Sequence, residues 1–162
     1  MKEKLQKYAL IAEITSAIAI VLSLIFVGLQ IQQSAEETSL NTKSVRLEAY
    51  QELLTQIAAL NIVLVENPEL VELENRITED REEITQQDKD RYLPYLRTVW
   101  RHGSLAYYQF NNGLIDEKTL NVALVPTLAL LRSKTVKELW RTGGRPLFDS
   151  EFVEYKENRL SE

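Results

Sequence analysis

The chain offers very few side chains suited to catalysis or metal binding. His102, in the run Trp100-Arg101-His102-Gly103, is the single histidine, and cysteine is absent. One imidazole can donate or accept a proton near neutral pH. Without cysteine or a second histidine, disulfides, thiolate nucleophiles and His/Cys metal clusters are excluded. We therefore predict a non-enzymatic protein with no metal site and no cofactor.

An aromatic cluster surrounds this histidine, with Trp100, Tyr107, Tyr108 and Phe110 falling within eleven residues. Aromatic residues at helical spacing usually form a core. Two alternatives stay open, a belt at lipid headgroups and a ligand pocket. The pocket hypothesis comprises Trp100, His102, Tyr107, Tyr108 and Gln109.

A long apolar segment near the start organises the rest of the chain. Ile14–Leu29 reads ITSAIAIVLSLIFVGL and carries no charge, and its apolar character extends from Tyr8 to Ile31. About 20 helical residues cross a bilayer, and a helix satisfies its own backbone there. We predict an uncleaved transmembrane helix within residues 1–33 and a helical domain over 34–162. A cleaved signal peptide is the alternative, but no suitable small-residue cleavage site follows the segment.

Polar residues within this segment are the sharpest features of the predicted span. Glu13 lies near its N-terminal end and Gln30 near its exit. An intramembrane carboxylate is costly unless it reaches headgroups or finds a partner. Glu13 is therefore expected to reach the headgroups or pair with Lys7, to be buried against a second span, or to serve ion or proton passage.

Small residues recur at three- and four-residue steps along the same segment, a spacing that lets helix backbones approach closely. They are Ala9, Ala12, Ser16, Ala19 and Ser23. This face predicts self-association in the membrane, although alanine and serine are also simply common in spans.

Charge fixes the expected orientation and excludes one class of partner. Lys2, Lys4 and Lys7 precede the span, which places the N-terminus in the cytoplasm and the domain outside it. The net charge is −5 and the domain is acidic. An acidic domain is a poor ligand for phosphate backbones, so nucleic acid is not an expected partner.

Beyond the span, the pattern predicts an all-α fold. One helix should run from about Leu5 to Glu66 and stop at Asn67-Pro68, because a residue before proline is pushed out of the α region. Its apolar residues recur at heptad spacing, as in Leu47 and Leu54. Leu53 and Leu60 add a third row, which favours packing in a bundle.

Capping signals then predict four or five shorter helices. A short helix and a loop should follow Pro68. Thr85-Gln86-Gln87-Asp88 resembles a capping box and should start a helix that ends near Asn112-Gly113. Asp116 should cap a helix to Leu131, and Ser133 one through Arg141. A last helix should follow Phe148.

Several short motifs resemble a widespread group of uncharacterised bacterial proteins. They are Glu13–Ile31, Asn67-Pro68-Glu69-Leu70, Tyr107-Tyr108-Gln109, Gly113-Leu114-Ile115-Asp116 and Phe148-x-x-x-Phe152. The resemblance implies a bacterial inner-membrane protein with one span and a helical domain, and it carries no activity.

Taken together, these features lead to a ranked expectation. First stands a self-associating interaction or scaffold module, with membrane lipids, further copies of the chain and another membrane or periplasmic protein as partners. A lipid or small-molecule sensor with an aromatic pocket is second, and an oligomeric ion or proton channel with Glu13 in the span is third.

Overall fold

The computed structural model describes residues 2–79 and 84–160, and within them the predicted all-α fold is confirmed. No strand occurs in these two ranges. The α-helices are α1 (Lys2–Glu66), α2 (Pro68–Glu79), α3 (Gln86–Asn111), α4 (Glu117–Leu130), α5 (Lys134–Leu139) and α6 (Ser150–Arg159). A π-helical turn (Trp140–Gly144) and a 3-10 turn (Arg145–Leu147) join α5 to α6.

The chain divides into two compact units, Met1–Ser44 and Val45–Glu162, and each is described by itself. The boundary predicted at 33/34 marks the end of the apolar segment, whereas the second unit begins at Val45. Helix α1 ends at Glu66, directly before Asn67-Pro68, as predicted.

The first unit exposes its apolar side chains on every side of the helix. Between Leu5 and Ile31 the large apolar residues are 48–71% exposed. By length and composition α1 could cross a membrane, and it is alone in this among the described helices. These side chains form no core within the first unit.

The second unit is a helical bundle built around α3. This helix packs against α2, α4, α6 and the π-helical turn, while α2 also packs against α5. Leu53 and Leu60 of α1 are buried in the core, and Ile57 and Leu64 of the same helix pack against it. The sequence pattern had assigned Leu53 and Leu60 to a bundle-facing row, and that prediction is confirmed. The fully buried large residues include Tyr92, Leu96, Trp100, Leu120, Leu124 and Phe152.

The three N-caps predicted from sequence are confirmed. Side-chain oxygens of Thr85, Asp116 and Ser133 accept hydrogen bonds from the backbone nitrogen three residues later, at 3.1, 2.8 and 3.3 Å. In return, Asp88 Oδ2 accepts a hydrogen bond from the Thr85 backbone nitrogen at 3.2 Å, which completes the capping box. The loop expected before Thr85 falls mainly on residues 80–83, which lie outside the described residues.

The fifth helix is shorter than predicted. It ends at Leu139 rather than Arg141, and the π-helical turn follows. Within this turn, a Cβ added at Gly144 would come within 2.5 Å of Trp100 Cζ3 and 2.6 Å of Trp140 Cε3. The backbone there packs directly against two indole rings, a tertiary contact that no local pattern predicts.

Candidate functional site

His102 lies between the helices of the bundle and lines more than one of its cavities. It sits on α3 with 3% of its surface exposed, and it lines two separate cavities. Residues of α1 after Val45 form a wall of each cavity, so both belong to the second unit.

The larger cavity, here the Arg101 cavity, has a volume of about 570 Å³. Its walls come from α1, the start of α2 and α3, and they are mainly apolar. The lining residues are Gln56, Ala59, Leu60, Val63, Leu70, Arg91, Pro94, Tyr95, Thr98, Arg101 and His102. This volume falls within the roughly 300–1,000 Å³ that small-molecule sites occupy.

The smaller cavity, here the Val122 cavity, lies on the other side of His102 and has a volume of about 380 Å³. Tyr50, Leu54 and Val122 line it and are themselves 46–66% exposed. An aspartate and a lysine, Asp116 and Lys118, also line it, so both signs of charge are present. The cavity is therefore the recessed part of an exposed apolar surface.

A mid-helix proline borders each cavity. Pro94 lies inside α3 and lines the Arg101 cavity, and Pro126 lies inside α4 and lines the Val122 cavity. Proline removes a backbone hydrogen bond, and its ring crowds the preceding turn. Helix α3 begins at Gln86 and keeps Pro94 in its interior.

Burial sets the charge state of His102. Desolvation lowers the pKa of His102, so the imidazole is neutral at pH 7. Its Nδ1 atom is buried and has no hydrogen-bond partner among the described residues. Buried polar atoms are nearly always paired, so the unpaired Nδ1 of His102 is an exception within the core.

The charged residues lining the Arg101 cavity are both cations. Arg91 Nη2 pairs with Glu69 Oε2 at 2.5 Å, whereas Arg101 makes no ion pair within the described ranges. Burial, with a smaller effect of the Glu74 carboxylate, raises the pKa of Tyr95 to about 12. The tyrosine hydroxyl therefore stays protonated. The cavity offers an apolar interior, a guanidinium and neutral hydrogen-bonding groups.

The five residues predicted as an aromatic pocket do not surround one cavity. Of these, His102 alone lines the cavities described above. Trp100 is fully buried and packs edge-on against Trp140, with ring centroids 5.1 Å apart. Tyr107 packs on Tyr155 at 4.7 Å, and Tyr108 is 65% exposed. Consecutive aromatic positions on a helix point in different directions, which separates them.

Gln109, the fifth of these residues, joins α3 to α1. Its Nε2 donates to Glu52 Oε2 at 3.3 Å, and its buried Oε1 has no partner in the described part of the chain. The bond ties the last turn of α3 to the helix that continues from the apolar segment. Gln109 is therefore a structural contact rather than part of a cavity wall.

Lys156 is a buried charged residue that sequence analysis missed. Its side chain is fully buried over the ring of Trp140, and Nζ lies 5.5 and 5.6 Å from the Trp100 and Phe152 ring centroids. Nζ has no hydrogen-bond partner among the residues described. Phe152 and Lys156 are four residues apart on α6, and this spacing is the signal that could have found the contact.

The polar and small residues of the predicted span lie on an exposed helix. Glu13 and Gln30 are exposed, and so are the five residues of the small-residue face, Ala9, Ala12, Ser16, Ala19 and Ser23. They belong to the first unit and have no described residue packed against them. Their roles in the membrane stay predictions.

No protein-family model, curated protein or solved structure matches this chain. In residues 2–79 and 84–160, no group of three or more histidine or carboxylate side chains is placed to hold a metal ion.

Proposed function

We propose that this protein is a single-pass membrane protein whose helical domain is a self-associating interaction module. The observation that carries the proposal is the exposure of every large apolar residue from Leu5 to Ile31. Burying one such side chain is worth about 1.5–3 kcal/mol, and soluble monomers rarely expose continuous patches of this extent. A bilayer covers all sides of a helix at once, and the helix satisfies its own backbone there.

Self-association is supported by the apolar residues that α1 leaves uncovered in the second unit. Leu53 is buried in the bundle, while Leu54 is 49% exposed. Successive residues on a helix are about 100° apart, so the two side chains face different neighbours. Leu47 and Tyr50 are also exposed, and with Leu54 they follow the three- and four-residue spacing of a coiled-coil seam. We call these three residues the heptad face.

Membrane anchoring is tested with the full chain in expressing bacterial cells. We expect the protein to stay with vesicles after carbonate washing, and its intact mass to include the segment 1–33. Protein released by carbonate that remains in solution without detergent would overturn the anchor. A mass lacking the segment would show instead that it is a cleaved signal peptide.

Orientation follows from the three lysines that precede the span. We propose a cytoplasmic N-terminus, a periplasmic helical domain and a location in the bacterial inner membrane. A C-terminal alkaline phosphatase fusion should then be active, because that enzyme folds only after export. An active cytoplasmic reporter at the same position would reverse the assignment.

The heptad face is tested by disulfide crosslinking, which the absence of native cysteine makes clean. Leu54→Cys should form a crosslinked dimer in membranes on mild oxidation. Thr55→Cys is the matched control, because Thr55 is exposed on the same turn and lies outside the heptad face. Equal crosslinking of the two variants, or none with Leu54→Cys, would contradict self-association through this face.

A second candidate function is binding of a small molecule or lipid, and the cavities beside His102 favour it. The Arg101 cavity has the volume of a ligand site, and one of its lining residues is His102, whose buried Nδ1 has no partner among the described residues. Thermal unfolding of the full chain across a panel of metabolites and lipids tests this candidate. Absence of any shift would count against it.

A further inference from the structure

From the lining of the Arg101 cavity, we propose that it binds the acyl chain of a fatty acid, with the carboxylate held at Arg101 and His102. The proposal deepens the ligand-binding candidate above and does not depend on membrane anchoring or self-association. It joins an apolar interior, a cationic rim and an unfilled buried hydrogen-bonding atom in one cavity.

The apolar interior sets the body of the ligand. Ala59 and Val63 of α1, Leu70 of α2 and Pro94 of α3 form walls without charge. An apolar chain gains about 25 cal/mol for each Å² that it removes from water. A sugar or a nucleotide would leave its hydroxyl or phosphate groups unpaired against these walls. An aliphatic chain has no polar group to leave unpaired against these walls.

The charged residues that line the cavity indicate the head group of the ligand. The charged lining residues are Arg91 and Arg101, and neither Asp nor Glu lines this cavity. Arg91 is paired with Glu69, so Arg101 is the cation left for a ligand. A guanidinium binds a carboxylate in a planar, two-bond arrangement. The neighbouring cavity differs, because Asp116 and Lys118 line it together.

His102 supplies the observation that is independent of charge. Its side chain is more than nine-tenths buried, it lines the cavity, and its Nδ1 lacks a partner among the described residues. A neutral imidazole with its proton on Nδ1 can donate to a carboxylate oxygen. Arg101 and His102 both line the cavity, and this shared lining is the observation that places them together around one carboxylate in the proposal.

The test uses the full chain in phosphatidylcholine nanodiscs and a dodecanoic acid that carries a photoreactive diazirine. Irradiation should label peptides that contain residues 59–63 and 94–101. Unlabelled dodecanoic acid should compete, and dodecanol should compete less well, by up to about fivefold, because it lacks the charge. Labelling confined to residues 5–31 would show that the probe only dissolves in the bilayer, and it would overturn the proposal.

Variants separate the cavity from its surroundings. Ala59→Trp should abolish labelling of 94–101 by filling the cavity. Ala58→Trp is the matched control, because Ala58 is exposed and does not line the cavity. Arg101→Gln should weaken competition by up to about fivefold, as expected for an exposed charge, while Arg132→Gln should not. Equal effects within each pair would overturn the assignment of the site.

Two further measurements distinguish a fatty-acid carboxylate from a lipid phosphate and separate failure of this site from failure of the proposed function. Competition by phosphatidylglycerol as strong as that by dodecanoic acid would reassign the site to a lipid headgroup and overturn the fatty-acid proposal. Carbonate resistance and Leu54→Cys crosslinking are measured on the Ala59→Trp variant as well. If the Ala59→Trp variant loses labelling but keeps carbonate resistance and crosslinking, the ligand site has been lost while anchoring and self-association remain. The two proposals can therefore fail separately.

Discussion

Lys156 lies with its side-chain nitrogen, Nζ, over the indole ring of Trp140, inside the core of the helical domain. The lysine is fully buried, and Trp100 and Phe152 flank the same nitrogen. Aromatic faces attract a cation. Burial opposes the charge more strongly, however, and lowers the pKa of Lys156 to about 6, against the smaller effect of the Glu157 carboxylate. The domain therefore folds around a lysine that has lost its proton at pH 7.

Replacing this lysine with an apolar residue should stabilise the domain. In the unfolded chain the amine titrates near pH 10.5, and in the folded chain near 6. Between these values folding releases a proton, so the free energy of unfolding rises with pH. Lys156→Met should raise it by about 1–4 kcal/mol at pH 7, and the slope of roughly 1.4 kcal/mol per pH unit due to this group should disappear.

Tryptophan fluorescence during urea unfolding measures this effect well, because Trp100 and Trp140 are the two tryptophans of the chain and both are buried there. Lys137→Met is the control, since Lys137 is exposed and on the preceding helix. A Lys156→Met protein that is less stable than wild type at pH 7 would mean that the cation–aromatic contacts outweigh burial.

Local features of this fold were predictable from sequence, and long-range ones were not. The caps at Thr85, Asp116 and Ser133 depend on residues three positions away, so their sequence motifs suffice. Lys156 sits where α6 meets residues of α3 and the π-helical turn, which only the tertiary fold brings together. The Arg101 cavity likewise combines Ala59, Leu70 and Arg101 from three helices. No local pattern encodes such a juxtaposition.

Gly144 gives a second prediction about the same core. An added methyl group would meet the Trp100 and Trp140 rings at 2.5–2.8 Å, and large rings in a packed core cannot retreat. Gly144→Ala should therefore lower the free energy of unfolding by about 1–3 kcal/mol, the usual cost of overpacking.

Gly143→Ala is the matched comparison for Gly144→Ala. Its nearest contact is the end of the Leu93 side chain at 3.0 Å, which can move aside. Gly143→Ala should therefore lower the free energy of unfolding distinctly less than Gly144→Ala. In both variants alanine also restricts the unfolded chain more than glycine does, which offsets part of the loss. Equal losses for the two variants, measured by urea unfolding, would show that the indole contacts are not what requires glycine at Gly144.

The cap of α4 yields a third prediction. Asp116 Oδ1 accepts from the Thr119 backbone nitrogen at 2.8 Å. Hydrogen bonding to the Thr119 side chain, and then to its backbone, lowers the pKa of Asp116. Asp116→Ala should reduce the free energy of unfolding by about 1 kcal/mol, whereas Asp116→Asn should retain most of it. Circular dichroism during thermal unfolding provides the measurement. A loss with Asn as large as the loss with Ala would contradict the capping role.

His102 gives a fourth prediction, in which the sign of the pH dependence is the test. Burial lowers the pKa of His102 from its ordinary value of 6.5. Above pH 6.5 the imidazole is neutral in both folded and unfolded chains, and it contributes nothing to pH dependence. Below 6.5 the unfolded chain binds a proton that the folded domain refuses, so stability falls as the pH falls.

The contribution of His102 is isolated by comparing wild type with His102→Gln from pH 7.5 to 5.5. Carboxylates and Lys156 titrate equally in both proteins, so the difference in unfolding free energy reports this histidine. The wild type should lose up to about 1.4 kcal/mol more per pH unit below 6.5 than the variant. Parallel curves would mean that His102 is hydrated and paired in solution. The hydrogen-bonding position at Nδ1 would then already be filled by water, leaving a ligand carboxylate with only Arg101 to bind.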